Sequence, residues 1–118
     1  MTILTINGKL KSSINDFKKA FFQLINYEPT LDSTNDLEFK CYIGIDSKDD
    51  YDVIDVVRFL VKHCSNFKLG IDETSYYESD RSPYFIRSIY YRWDGKNLKR
   101  CFKDYFGSLC EDVNFLLD

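Results

Sequence analysis

Residues 47–67 read SKDDYDVIDVVRFLVKHCSNF. A polar opening leads into an apolar stripe. Val53, Val56, Val57, Leu60, Val61 and Cys64 recur at three- and four-residue steps, which puts them on one side of a 3.6-period helix. Ile54 lies off the main stripe and widens it. Upstream, residues 37–45 (LEFKCYIGI) alternate strictly: Leu37, Phe39, Cys41, Ile43 and Ile45 on one face, Glu38, Lys40, Tyr42 and Gly44 on the other. Period-two alternation over this length predicts a strand. Downstream, Phe67 to Ile71 reads as a second, short strand. A strand, a helix and a strand in series are what a small sheet covered by helices requires.

Working outward, Tyr84 to Trp93 is a further strand with bulky side chains on both faces, followed by an Asp94-Gly95 turn. Thr2 to Ile6 alternates Thr and aliphatic residues and reads as a strand. Asn7-Gly8 then gives a two-residue turn signal, so a hairpin-like opening is expected there. Ser13 to Tyr27 predicts a helix with Ile14, Phe17, Ala20, Phe21, Leu24 and Ile25 as its apolar stripe. Ser13 and Asp16 form a variant capping box, and Pro29 marks the end. The segment 29–36 is a loop. Asn97 to Leu117 shows helical spacing from Leu98 through Leu117 and predicts a third helix. Gly107 weakens that pattern, and residues before Asp104 could instead complete a hairpin across Asp94-Gly95. The expectation is one α+β or α/β domain over 1–118: an antiparallel or mixed sheet of four to five strands packed by three helices, in the order β-α-β-α-β-β-α.

The chain has 118 residues, 44% hydrophobic and 17% aromatic, enough apolar material for a core rather than a disordered chain. Nine tyrosines accompany ten phenylalanines. Each buried tyrosine hydroxyl needs a partner, so some tyrosines should lie at the surface and suit a binding face. The formal charge of -3 argues against nonspecific attachment to a phosphate backbone. The expected partner is a protein with a basic face, not a nucleic acid and not a membrane. No run of about 18 apolar residues predicts a membrane span, and the first residues lack the basic-then-apolar order of a secretion signal. A cytoplasmic setting follows as the expectation. Cys41, Cys64, Cys101 and Cys110 form no CxxC, so buried free thiols are expected.

Four places could carry chemistry. Asp46, Asp49, Asp50 and Asp52 fail the EF-hand pattern at Lys48, Tyr51 and Val57; they read as acids offsetting the positive end of the central helix, and no metal or other cofactor is expected. His63, the only histidine, sits beside the apolar stripe, with Cys64 too close in sequence to face it. Gly44, Gly70, Gly95 and Gly107 are isolated and form no phosphate loop. The segment 71–85 (IDETSYYESDRSPYF) combines carboxylates with tyrosines, a mixture that supplies anchors and charge complementarity at protein interfaces. Asp72, Glu73, Tyr76, Tyr77, Glu78, Asp80 and Tyr84 are therefore the candidate partner-binding residues. Just behind them, Arg87, Arg92, Lys96, Lys99, Arg100 and Lys103 interleave with Tyr90, Tyr91 and Trp93, which could clasp single-stranded RNA.

The opening INGKLKSSINDFKKAF resembles the first strand and helix of the barstar family, small acidic inhibitors of a secreted ribonuclease. The resemblance covers Ile6 to Phe21 only, and no binding residue is carried over from it. The leading expectation is a small binding protein, an immunity protein or inhibitor of a bacterial toxin or nuclease, acting by occlusion and without catalysis. An enzyme using His63 with Arg87, Tyr90 or Asp50, and an RNA-binding regulatory module, are the alternatives.

Overall fold

The structure is a computed structural model that describes residues 2–25, 30–33, 38–45, 52–76, 83–104 and 107–118. Its elements are β1 (Thr2–Leu10), α1 (Ile14–Ile25), β2 (Thr30–Ser33), β3 (Glu38–Ile45), α2 (Val53–His63), β4 (Cys64–Tyr76), β5 (Pro83–Trp93), β6 (Leu98–Asp104) and β7 (Gly107–Asp112), with a short 3-10 turn at Asn114–Leu117. One antiparallel sheet runs β2-β3-β1-β4-β5-β6-β7. The expected fold is corrected on two counts. Among the described residues, the sheet has seven strands rather than four or five, and two α-helices pack on it rather than three.

The two helices cover one face. Phe17 and Phe21 of α1 and Val56, Val57 and Leu60 of α2 are buried with Leu4, Ile6, Phe39, Cys41, Ile43, Phe67, Leu69 and Ile71 of the strands. These strand residues alternate in sequence and stand side by side in register: Leu4 opposite Ile43 and Ile71, Ile6 opposite Cys41 and Leu69. Period-two and period-3.6 apolar patterns thus meet in one layer. An aromatic cluster locks α1 to α2, with Phe17 ring centroids 4.9 Å from Phe39 and 5.6 Å from Phe59, and Phe21 5.3 Å from Phe59.

The helix starts follow their caps. Asp52 Oδ1 accepts the Ile54 N–H at 2.9 Å, and Ser13 Oγ accepts the Asp16 N–H at 3.3 Å. The predicted third helix is absent among the described residues, which form β6, β7 and the 3-10 turn there. The Asp94-Gly95 turn holds as expected: Asp94 Oδ1 accepts the N–H groups of Lys96 and Asn97 at 2.8 and 2.7 Å, and Gly95 takes φ +95°. Those bonds hold the Asp94 carboxyl below its ordinary pKa. The chain therefore folds back at once into β6, and Asp104 and Gly107 close a second hairpin. Two hairpins in succession leave no length for a helix.

The Asn7-Gly8 turn is also corrected. Both residues lie inside β1, paired on either side. Gly8 is there because neighbours crowd it: a Cβ would stand 2.7 Å from the Asn66 carbonyl oxygen, 3.0 Å from Phe67 Cβ and 3.2 Å from Phe39 Cε1. Close approach, not a turn, requires the glycine.

The expectation of four free thiols fails for two of them. Cys101 and Cys110 are directly opposite across β6 and β7 and form a disulfide with Cα atoms 4.1 Å apart. Cys41 and Cys64 are free and buried, and desolvation pushes both thiols up to about 12. Neither is a nucleophile at neutral pH.

Candidate functional site

Two surfaces stand out, and both follow from sheet register. The first is the far end of β4 and β5. β1 pairs with β4 as far as Thr2 opposite Glu73. Beyond a bulge at Glu73/Thr74, the described residues of β4 pair only with β5: Thr74 with Phe85, Ser75 with Tyr84, Tyr76 with Pro83. A two-stranded arm thus runs past the sheet. The described residues of the segment 72–83 are strand, because β5 begins early enough to pair with them.

The arm carries much of the predicted partner-binding set. Asp72 stands at its root, half-buried on the face away from the helices. Glu73, Tyr76 and Tyr84 have their backbones in the paired strands. Tyr77, Glu78 and Asp80 lie outside the described residues.

The second surface is the uncovered face of the sheet, which sequence reasoning missed as a unit. Side chains of alternate parity to the core point there. Reading across the strands, one row runs Lys40, Asn7, Lys68, Arg92, Lys99, Asp112, each directly opposite the next. All six side chains are exposed. The adjoining row contains Thr5, Gly70, Tyr90, Cys101 and Cys110. Lys68 Nζ rests 4.4 Å from the centroid of the Tyr90 ring, and Tyr90 Oη approaches Cys110 Sγ at 3.9 Å. A shallow depression of about 720 Å³ lies over Asn7, Lys40, Lys68, Tyr90 and Arg92, with Glu38 and Asp94 also in its lining. A smaller hollow of about 380 Å³, floored by Thr5 and Gly70, lies between Asp72, Ser88 and Tyr90.

The predicted basic stretch of 87–103 is divided between the two faces by this alternation. Arg92 and Lys99 share the open row. Arg100 lies on the helix side, where it pairs with Glu111 through Nε at 2.9 Å and sits 5.6 Å from the Phe102 ring. The hydrogen bonds it donates to Glu111 and then to Tyr91 raise its pKa. Trp93 packs against the core cluster and Lys96 is exposed in the turn.

His63 ends α2 among aromatic rings, 4.3 Å from Phe59 and 6.5 Å from Phe17 by centroid. Its pKa is lowered by desolvation, then by Lys62 and Lys11. Tyr90, one of the proposed catalytic companions, is on the opposite side of the sheet, and Asp50 lies outside the described residues. Among the described residues, the charged groups that act on the imidazole are Lys62 and Lys11, both basic. Among the described residues, no group of three or more His, Cys, Asp or Glu side chains could hold a metal ion, and no helix is long and apolar enough to cross a membrane. Asp52, the described member of the acidic cluster, serves as the cap of α2.

In comparisons with protein-family models, with curated proteins and with solved structures, nothing matches the chain. Function is therefore argued from these two surfaces alone.

Proposed function

We propose that the chain is a binding protein that acts by covering part of another protein, with the β4–β5 arm as its contacting element. The observation that carries this reading is the arm itself. Two strands alone cannot bury a face, and a free ribbon is marginally stable in water. Its edges, where no third strand of the described residues pairs, offer backbone donors and acceptors to an incoming strand. The carboxylates of Asp72, Glu73, Glu78 and Asp80 favour a basic partner, and Tyr76, Tyr77 and Tyr84 are the aromatic anchors. An immunity protein or inhibitor that occludes the active site of a toxin or nuclease fits this chemistry. Binding would need no bond-making step and no cofactor.

The test replaces the four carboxylates together by their amides. Immobilised wild type and variant are compared as baits against the lysate of the producing cell and of its competitors. The reading expects a basic protein that wild type retains and the variant releases, with a flatter salt dependence for the variant. Equal retention of every captured protein by both baits overturns it.

A further inference from the structure

A sheet that serves only its own folding places opposite charges across from each other. The β6–β7 pair does so: Arg100 faces Glu111 and Lys99 faces Asp112. The centre of the open face does the reverse. Lys68 is directly opposite Arg92, and Arg92 is directly opposite Lys99. Like charges in directly opposed positions destabilise a sheet. Lys40 extends the row on the far side of Asn7. The acids at this level, Asp32 and Asp112, stand at the outer strands. Four cations therefore span β3 to β6, about 19 Å at ordinary strand spacing, with no acid between them.

From this juxtaposition we infer that the uncovered sheet face binds single-stranded nucleic acid, its phosphates along the Lys40–Lys68–Arg92–Lys99 row. The row is too long for one phosphate and suits a chain of regularly spaced anions. The adjoining row supplies what a base needs and an acidic peptide does not. Tyr90 presents a ring with the Lys68 ammonium over its face, 4.4 Å from the centroid. A phosphate drawing that ammonium away frees the ring for stacking. Beside it, the hollow is floored by Thr5 and by Gly70, which contributes no side chain, and Asp72 and Ser88 on its rim offer an acceptor and a hydroxyl to a base edge. The net charge of -3 does not oppose this, because the row's own acids, Asp32 and Asp112, stand only at its two ends and binding follows the local field. This surface is separate from the arm, so neither assignment depends on the other.

The test is fluorescence anisotropy with a labelled oligothymidylate or oligouridylate of about 12 nucleotides, within the usual site size of single-strand grooves. Four phosphate contacts on a single strand predict a slope of log affinity against log salt of about -2.8. The double variant Lys68→Gln, Arg92→Gln should halve that slope and weaken binding roughly 25-fold at 0.1 M salt. Removing like-charged neighbours should leave the melting temperature unchanged or higher, which separates lost binding from misfolding. Lys99→Gln alone gives the same readout at one charge, should the double variant unfold. Tyr90→Ala should cost about fivefold or more with the oligonucleotide, and Tyr90→Phe should restore it. Absence of binding at 50 mM salt, or equal binding by wild type and the charge variants, overturns the inference. So does polyglutamate of the same charge binding as well as the oligonucleotide, which would give the row to an acidic polypeptide.

Discussion

The two ends of the sheet are held by different means. At β3, β1 and β4, both helices press on the strands, and Leu4, Ile6, Leu69, Phe17 and Phe21 are fully buried. Among the described residues of β6 and β7, burial narrows to Leu98 and Cys101. Leu109 is 74% exposed and Phe102, directly opposite it, is 39% exposed. There the strands are joined by the Cys101–Cys110 disulfide and by the Arg100–Glu111 pair. Beside them, Asn114 Oδ1 accepts the Leu98 N–H at 2.7 Å and the Leu98 carbonyl accepts the Val113 N–H at 2.9 Å. Cohesion at one end is distributed over many apolar contacts; at the other it is concentrated in a few specific links. Damage to the first should be felt everywhere, whereas damage to the second should stay local.

The sharpest way to break this contrast is Phe17→Ala. It empties the centre of the aromatic cluster and should cost about 3–5 kcal/mol in denaturant unfolding. A loss below 1 kcal/mol would mean that the helices contribute little to the near end. Next in size is the disulfide. Replacing Cys101 and Cys110 by Ala should cost about 2–3 kcal/mol, with amide exchange accelerated in β6 and β7 and little changed in β1. Uniform acceleration across the sheet would erase the distinction between the ends. Gly8→Ala, inside the near end, should cost about 1–3 kcal/mol, because the Asn66 carbonyl and the Phe67 and Phe39 side chains must shift; a neutral result would show that this crowding is relieved at no cost. The smallest effect belongs to His63 at the end of α2. Its pKa is lower folded than unfolded, so the unfolded chain takes up the proton first. The contribution of this group to stability is complete above pH 6.5 and declines as pH falls from there through the folded value. His63→Gln should flatten that part of the stability–pH curve, and an unchanged curve would place the imidazole in open solvent.

Much of the near end can be read from residues. The alternation of 38–45 and the stripe of α2 each carry one period, and Asp94-Gly95 has local turn chemistry that tertiary contacts leave intact. The far end cannot be read this way. Between Leu98 and Leu117, Leu98, Cys101, Phe102, Leu109 and Val113 satisfy a helical spacing, while Leu98–Arg100–Phe102 and Lys99–Cys101–Lys103 alternate as a strand does. Only the two turns decide between them. Asn7-Gly8 misleads for the opposite reason: its turn chemistry is genuine, but packing from Phe39 and Phe67 overrides it. Asp72, Tyr76 and Tyr84 were visible as members of a cluster, though their place on paired strands was not. The cation row was illegible because its members come from four segments between residues 40 and 99 and meet only once register is known.

The central position of β1 has a consequence for synthesis on the ribosome. Leu4 is flanked by Ile43 on one side and Ile71 on the other, so β1, which leaves the ribosome before both of its neighbours, is the strand whose hydrogen bonds are completed late. At ordinary elongation rates it waits roughly 3–13 s for its second neighbour. Through that interval its backbone is a bare template for any passing strand. Nascent chains of this protein should lean on a chaperone until β4 has cleared the exit tunnel.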